Sequence, residues 1–213
     1  MHHGVFEGKK AKDQKMKVLI LGESHHVSTD PSVTTDKIAG VPATYTTAAV
    51  VREHLEKRKT HDFLTKIAKS FDAEEEVEFW DSVYFGNYID VLCGIGNSFA
   101  EKQVEENRKE YNDQVFRFVN KYNISKIFCF SVLAYKNLPD LADGEESRCE
   151  TIGMRGRRRV YLRQCKYKAK TQRSGTSVIL EKDLHVFGIS HPQAKGGYSP
   201  EMYASSLKNQ IEF

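Results

Sequence analysis

The chain has 213 residues, of which 39% are hydrophobic and 29% charged, and its formal net charge is +3. The composition excludes disordered and fibrous classes, and the length suits one α/β domain with a single core. No stretch approaches the roughly 18 apolar residues of a membrane-spanning helix, and the first residues lack the apolar core of a signal peptide. We therefore predict a single domain over residues 1–213, a cytoplasmic monomer with no membrane partner.

Four cysteines support the cytoplasmic interpretation. They are Cys93, Cys129, Cys149 and Cys165, and no two of them have Cys-x-x-Cys spacing. This pattern predicts reduced thiols, with neither a disulfide framework nor a zinc site.

Predicted strands and helices alternate along the chain. The apolar run over 17–22 is rich in branched side chains and ends at glycine, as buried parallel strands often do. Apolar residues at helical spacing predict the next helices, and shorter apolar runs predict further strands. In order, the remaining predicted elements are helices 46–57 and 61–70, a strand 82–88, a helix 101–121, a strand 125–130, a short helix to 137, a strand 184–189, and a helix opening at Ser199-Pro200.

This alternation predicts an open, mostly parallel sheet with helices on both faces. We expect a three-layer α/β/α sandwich built on four to five strands. The acidic stretch 72–81 is expected to be a solvated surface that faces away from any polyanion.

A basic insertion at about 150–175 has the most uneven charge in the chain. From Arg155 to Arg173 there are nine Lys or Arg residues and no acidic residue. Cations in this density favour phosphate contacts, and interleaved tyrosines can stack on unpaired bases. The expected DNA-contacting residues are Arg155, Arg157, Arg158, Arg159, Arg163, Lys166 and Lys168, with Tyr161 and Tyr167 as stacking residues. A basic hairpin without a ligand is the alternative.

Polar residues follow every predicted strand. They are Glu23, Ser24, His25 and His26 after the first, Asn87 after the second, Ser131 after the third, and Ser190, His191 and Gln193 after the fourth. Each alone can be an ordinary loop residue, such as an Asn that caps a turn. Ligands of parallel sheets bind beyond the carboxyl ends of the strands, so the set predicts one functional pocket.

The order and spacing of these residues resemble the uracil-DNA glycosylase superfamily. That superfamily has a first motif of the Gly-Gln-Asp-Pro-Tyr-His or Gly-Glu-Ala-Pro-Gly type, a stacking aromatic, a base-reading Asn and a late His-Pro. The matching segments here are Leu21-Gly-Glu-Ser-His-His26, Ala43-Thr-Tyr45, Phe85-Gly-Asn87, residues 126–135 and Ile189-Ser-His191-Pro192. The resemblance spans most of residues 16–210 and implies a DNA glycosylase that needs no cofactor or metal.

The resemblance also implies a role for each matched residue. The target base must leave the duplex, and Tyr45 would then stack on its face while Asn87 reads its Watson–Crick edge. His191 would donate a hydrogen bond to O2 and stabilise the charge on the departing base. Glu23 or Ser24 would hold or polarise the water that attacks C1′ of the sugar.

Three departures from the superfamily pattern bear on specificity. Ser24 stands where some members have Asp or Asn, and His26 replaces a tyrosine that excludes 5-methyl pyrimidines. The resemblance therefore implies that His26, in place of this tyrosine, admits a larger group at carbon 5 of the base. The implied substrates are uracil or a 5-modified cytosine, hydroxymethylated or glucosylated as in phage DNA. The last loop offers Lys195-Gly-Gly197 instead of an apolar wedge, and Lys195 joins the expected DNA contacts. Repair and antiviral defence both fit this interpretation.

Other interpretations stay open. Ser24 also fits a catalytically silent relative that binds DNA or a modified base without cleaving it. The adjacent His25 and His26 allow a histidine nucleophile or, with Glu23, a metal site, although one short loop supplies few ligands. A small-molecule hydrolase or nucleotide enzyme lacks support, because the chain has no Gly-x-Ser-x-Gly elbow and no phosphate-binding glycine loop.

Overall fold

The computed structural model describes residues 4–26, 44–93, 97–194 and 198–211. In these ranges the strands form a mixed seven-stranded sheet in the order β1-β4-β2-β6-β9-β8-β7 and a separate pair, β3-β5. The strands are β1 (Phe6–Glu7), β2 (Val18–Gly22), β3 (His25–His26), β4 (Tyr84–Asn87), β5 (Leu92–Cys93), β6 (Lys126–Cys129), β7 (Glu146–Arg155), β8 (Arg158–Tyr167) and β9 (Leu184–Gly188).

The centre of the sheet consists of four parallel strands, β4, β2, β6 and β9. Every residue of β2 is buried, because helices cover both of its faces. Val18 and Ile20 point into one core and Leu19 and Leu21 into the other, as the alternation of side chains along a strand requires. The four strands predicted from their apolar runs are these four, and their parallel arrangement is confirmed.

The six helices of the described residues pack in two groups on opposite faces of the sheet. They are α1 (Thr44–Leu55), α2 (Asp62–Lys69), α3 (Glu76–Asp81), α4 (Asn97–Tyr122), α5 (Val132–Asn137) and α6 (Pro200–Leu207). Helices α1, α2, α3 and α6 contribute to the core that holds Val18, whereas α4 and α5 contribute to the core that holds Leu19. The α/β class is therefore confirmed.

The predicted size of the sheet is wrong. Seven strands, rather than four to five, form it, and three of the six pairings between neighbouring strands are antiparallel. Strand β1 has only two residues, too few to give a sequence pattern. Strands β7 and β8 are rich in charged residues, so they lack the apolar run that predicts a buried strand. Strand β7 is an edge strand, and none of its residues is fully buried.

The basic segment predicted as an insertion is therefore part of the main sheet. Strands β7 and β8 form an antiparallel ribbon, and β8 also pairs with β9 through Arg163–Tyr167. The turn at the outer end contains Gly156, whose φ of +60° lies in the left-handed region that favours glycine.

The acidic stretch 72–81 is only partly the solvated surface that we expected. Glu74, Glu75 and Glu78 are exposed. The stretch also contains α3, which places the side chains of Phe79 and Trp80 in the core. The acidic stretch therefore includes a short helix whose buried residues are these two aromatic side chains.

His185 connects the sheet to a testable pH dependence of stability. Its register partners on the neighbouring strands are Lys126 and Lys166. Burial, and then these two positive charges, lower the pKa of His185 from 6.5 to about 4. Between these pH values the unfolded chain binds a proton that the folded chain does not, so the free energy of unfolding rises with pH through this window.

We expect His185→Gln to remove part of this dependence. Between pH 7 and pH 5 the wild type should lose about 1 to 2 kcal/mol more stability than the variant, measured by urea unfolding. His61, whose pKa is also lowered by burial, is present in both proteins and cancels in the comparison. Parallel pH profiles of the two proteins would contradict this assignment.

No helix among the described residues has both the length and the apolar character needed to cross a membrane.

Candidate functional site

The carboxyl ends of the four parallel strands meet at one edge of the sheet. Gly22 of β2 is in register with Asn87 of β4, and Cys129 of β6 is in register with Gly188 of β9. Backbone hydrogen bonds extend this alignment beyond the strands, since the Ile89 amide donates to the Glu23 carbonyl over 2.9 Å. The polar residues after the strands therefore share one edge, as the sequence predicted.

Glu23 is held by the residue that follows the third parallel strand. The Ser131 hydroxyl donates to Oε2 of Glu23 over 2.7 Å, and the Ala134 amide donates to the same hydroxyl over 3.1 Å. Ser131 is fully buried and is the N-cap of α5. One hydroxyl thus fixes the start of a helix and orients the carboxylate.

Replacing Ser131 should separate these two functions. Ser131→Ala loses the cap and the hydrogen bond to Glu23, and we expect a stability loss of about 1 kcal/mol together with reduced activity of any reaction that uses Glu23. Ser131→Thr keeps the hydroxyl and should restore activity more than stability, because its extra methyl enters a buried site. Equal activity of the Ala variant and the wild type would show that Glu23 needs no such positioning.

Asn87 lies across the glycine that ends β2. Its Oδ1 is so close to Gly22 that a Cβ at that position would overlap it. Its Nδ2 faces Oγ1 of Thr47 on α1 over 3.4 Å, and both side chains are buried. Gly22 therefore leaves the space that the Asn87 carboxamide occupies, one residue before Glu23.

His191 presents a defined tautomer. The Gln193 amide donates to Nδ1 of His191 over 3.2 Å, in a turn closed by the Ala194 amide and the His191 carbonyl over 2.8 Å. Because Nδ1 accepts, the proton of the neutral imidazole is on Nε2. His191 is half-buried, and in this tautomer Nε2 is its N–H donor.

The three site residues are distributed across the sheet edge. Asn87 ends β4, Glu23 follows β2, and His191 lies three residues beyond β9. Strands β4 and β9 are three inter-strand spacings apart, about 14 Å at backbone level. Side chains that reach inward from both ends of this span can contact a ligand the size of a nucleobase between them.

Other predicted site residues are only partly covered by the structure. Ser24 is half-buried and directly follows Glu23. The backbone of His26 belongs to β3 and that of Tyr45 to α1, but both side chains lie outside the described part of the chain. Lys195 lies outside the described residues altogether.

The structure divides the predicted DNA-contacting residues into two groups. Because β8 runs antiparallel to β9, Arg155, Arg157, Arg158 and Arg159 lie at the outer end of the ribbon, on the side of the carboxyl edge. Lys166 and Lys168 lie toward the opposite, amino edge, where they line a cavity of about 450 Å³. The predicted DNA contacts of the basic segment therefore lie near two opposite edges of the sheet, and the first group shares the edge of the site.

Two further members of the basic segment are structural. Arg173 and Glu145 form an ion pair whose two side chains have no exposed surface. Tyr167 is 2% exposed, and its hydroxyl donates to the Pro139 carbonyl over 2.7 Å, so it cannot stack on a base. The Arg163 guanidinium lies 5.4 Å from the Tyr161 ring centre and covers that ring.

Sequence reasoning missed two residues that organise the site. Thr47 faces the Asn87 carboxamide, and its position in α1 carried no signal of this contact. The Tyr203 hydroxyl accepts from the Ser190 amide over 3.1 Å and donates to the Tyr161 carbonyl over 2.9 Å. Tyr203 thereby joins the loop that carries His191 to strand β8.

Among the described side chains, no three His, Cys, Asp or Glu residues are grouped as metal ligands would be. Comparison with known proteins finds no matching family model and no significant similarity to a curated protein.

Proposed function

We propose that this protein is a DNA glycosylase that extrudes a pyrimidine nucleotide and hydrolyses its N-glycosidic bond, leaving an abasic site. The observation that carries the proposal is the common position of Glu23, Asn87 and His191 at the carboxyl edge of the parallel strands. The resemblance of the surrounding motifs to the uracil-DNA glycosylase superfamily, with its three-layer α/β/α sandwich, supports it.

The assigned chemistry uses two groups at the reacting bond. As the C1′–N1 bond breaks, its electron pair leaves with the base, and the Nε2–H of His191 stabilises the resulting charge at O2. Water forms the new bond to C1′ and gives its proton to Glu23, which returns it to the departing base. Ser131 supports this step because its hydroxyl donates to Oε2 and orients the carboxylate.

Asn87 supplies recognition in this mechanism. Its carboxamide offers a donor and an acceptor side by side, which complements the Watson–Crick edge of a pyrimidine. Since the side chain is buried and fixed against Gly22, it is suited to one narrow range of base positions. The substrate class that we propose is uracil or a cytosine modified at carbon 5.

The test is a product assay on matched duplexes. DNA containing uracil, 5-hydroxymethylcytosine or its glucosylated form is incubated with the protein, and abasic sites are measured by alkaline strand cleavage. We expect cleavage of at least one modified duplex and none of the unmodified control. Asn87→Ala, purified identically, controls for a contaminating glycosylase and should be inactive.

A binding protein without catalytic activity gives a different result in the same experiment. Such a protein would bind one modified duplex more tightly than its unmodified control and produce no abasic site. No product from any of the three bases, with folded protein and saturated DNA, would overturn the glycosylase proposal.

A further inference from the structure

The outer end of the ribbon extends past the sheet at the same edge as the site. We call residues 151–162 the arm. Strand β8 pairs with β9 from Arg163 to Tyr167. Its residues from Arg158 to Leu162 pair with β7 and extend beyond Gly188, the last paired residue of β9. Five residues of extended chain correspond to about 17 Å. The arm therefore reaches beyond the strand ends near His191.

The charge of the arm is one-sided. Residues 151–162 contain four arginines and no acidic residue. Arg155 and Arg158 face each other in the ladder, which concentrates positive charge at this end of the ribbon. Arg157, Arg158 and Arg159 are all exposed. This end of the ribbon is suited to a polyanion.

The arm is held rigidly by the body of the protein. Val160 and Leu162 are buried in the core that also contains Tyr198 and Tyr203. The Arg155 guanidinium donates to the Tyr198 carbonyl. The Tyr203 hydroxyl, bonded to both strand β8 and the Ser190 amide, fixes the arm relative to the loop of His191. Its arginines are therefore presented at a set distance from the site.

The arm has the features of a duplex-binding element rather than a single-strand one. Proteins that grip single strands without sequence preference stack successive bases on aromatic side chains. Tyr161, the arm's aromatic residue, is half-buried and covered by Arg163, and Tyr167 is in the core. A two-stranded ribbon, in contrast, fits the major groove of B-DNA, which is about 12 Å wide.

We propose that the exposed turn of the arm lies against the groove of duplex DNA, where Arg157, Arg158 and Arg159 neutralise phosphates beside the nucleotide that the site extrudes. The position of that nucleotide rests on the proposed function, whereas binding of duplex DNA by the arm does not. Strand β8 lies three strand spacings from β2, about 14 Å, which corresponds to roughly four base-pair steps along the duplex.

The test compares two variants that lose the same charge. Arg157→Gln/Arg158→Gln/Arg159→Gln removes three cations from the arm, and Lys166→Gln/Lys168→Gln/Lys170→Gln removes three exposed cations near the amino edge. Binding of a fluorescein-labelled, unmodified 20-base-pair duplex and of its single strand is measured by anisotropy between 50 and 200 mM salt. Thermal unfolding confirms that both variants fold.

We expect the arm variant to lose at least 10-fold in duplex affinity, while the control variant stays within about 2-fold of the wild type. The slope of log K against log salt should fall by about 2.7, since each neutralised phosphate contributes about 0.9. Equal losses in the two variants, or an equal loss for single-stranded and duplex DNA in the arm variant, would overturn the inference.

These results are separable from the outcome of the glycosylase assay. Duplex binding that depends on the arm, with no abasic product from any DNA, would refute the proposed function and leave the arm inference standing. Excision from duplex DNA by the arm variant at the wild-type rate, with DNA below saturation, would refute the arm inference and leave the proposed function standing.

Discussion

Replacing His191 by alanine is expected to lower kcat for base excision by about 10² to 10³-fold, because a preorganised donor to a developing anion has an effect of this size. KM should change little, since the hydrogen bond strengthens only as charge reaches O2 of the leaving base. The measurement is single-turnover release of base from the best duplex substrate.

Two further variants make the His191 result specific. His191→Gln keeps an N–H donor and should recover part of the lost rate. Gln193→Ala keeps the backbone amide that donates to the imidazole and changes only an exposed side chain, so it should retain the wild-type rate. A kcat within 3-fold of wild type in His191→Ala would remove this residue from the mechanism.

Adding one methyl group at Gly22 is expected to lower excision by about 10²-fold without unfolding the protein. The new Cβ would overlap Oδ1 of Asn87, so the carboxamide must move away from its position against residue 22. A displacement of about 1 Å in a positioning group can cost this much in rate. The moving atom ends a side chain, so the stability cost should stay near 1 kcal/mol.

The double variant Gly22→Ala/Asn87→Ala tests this explanation. If the methyl group acts through Asn87, the double variant should be no slower than Asn87→Ala alone. Gly188→Ala is the comparison for overpacking, because a Cβ there would meet the ring of Tyr135 and should destabilise the fold by about 1 to 3 kcal/mol. Additive rate losses in the double variant would contradict the assigned contact.

The central strands were predictable because their residues are buried on both faces. Val18–Gly22 and Leu184–Gly188 are short apolar runs, and such runs indicate parallel strands between helices. Strand β7 gives no such signal, because its residues are exposed or half-buried and its only ladder partner is β8. Its pairing is determined by backbone hydrogen bonds, which the side-chain pattern does not encode.

The site was predictable as a set of residues but not as a set of contacts. Glu23, Asn87 and His191 lie at or beyond the carboxyl ends of parallel strands, so topology alone brings them to one edge. The bond between Ser131 and Glu23 joins residues 108 positions apart, and no periodicity reports such a pair. The charge of the basic segment also does not show that its cations lie near two different edges of the sheet. Arg158 and Lys166 belong to the same strand, and the two ends of that strand lie near opposite edges.

An NMR titration of the Asn87 side-chain amide and the His191 ring nitrogens tests most directly whether both residues contact one extruded base. The titrant is a duplex whose target nucleotide carries a 2′-fluoro group, so that it is bound but not cleaved. We expect the resonances of both groups to shift together when the modified base is present, and neither to shift with the matched unmodified duplex. Shifts confined to the arginines of the arm, with Asn87 and His191 unchanged at saturating DNA, would contradict it.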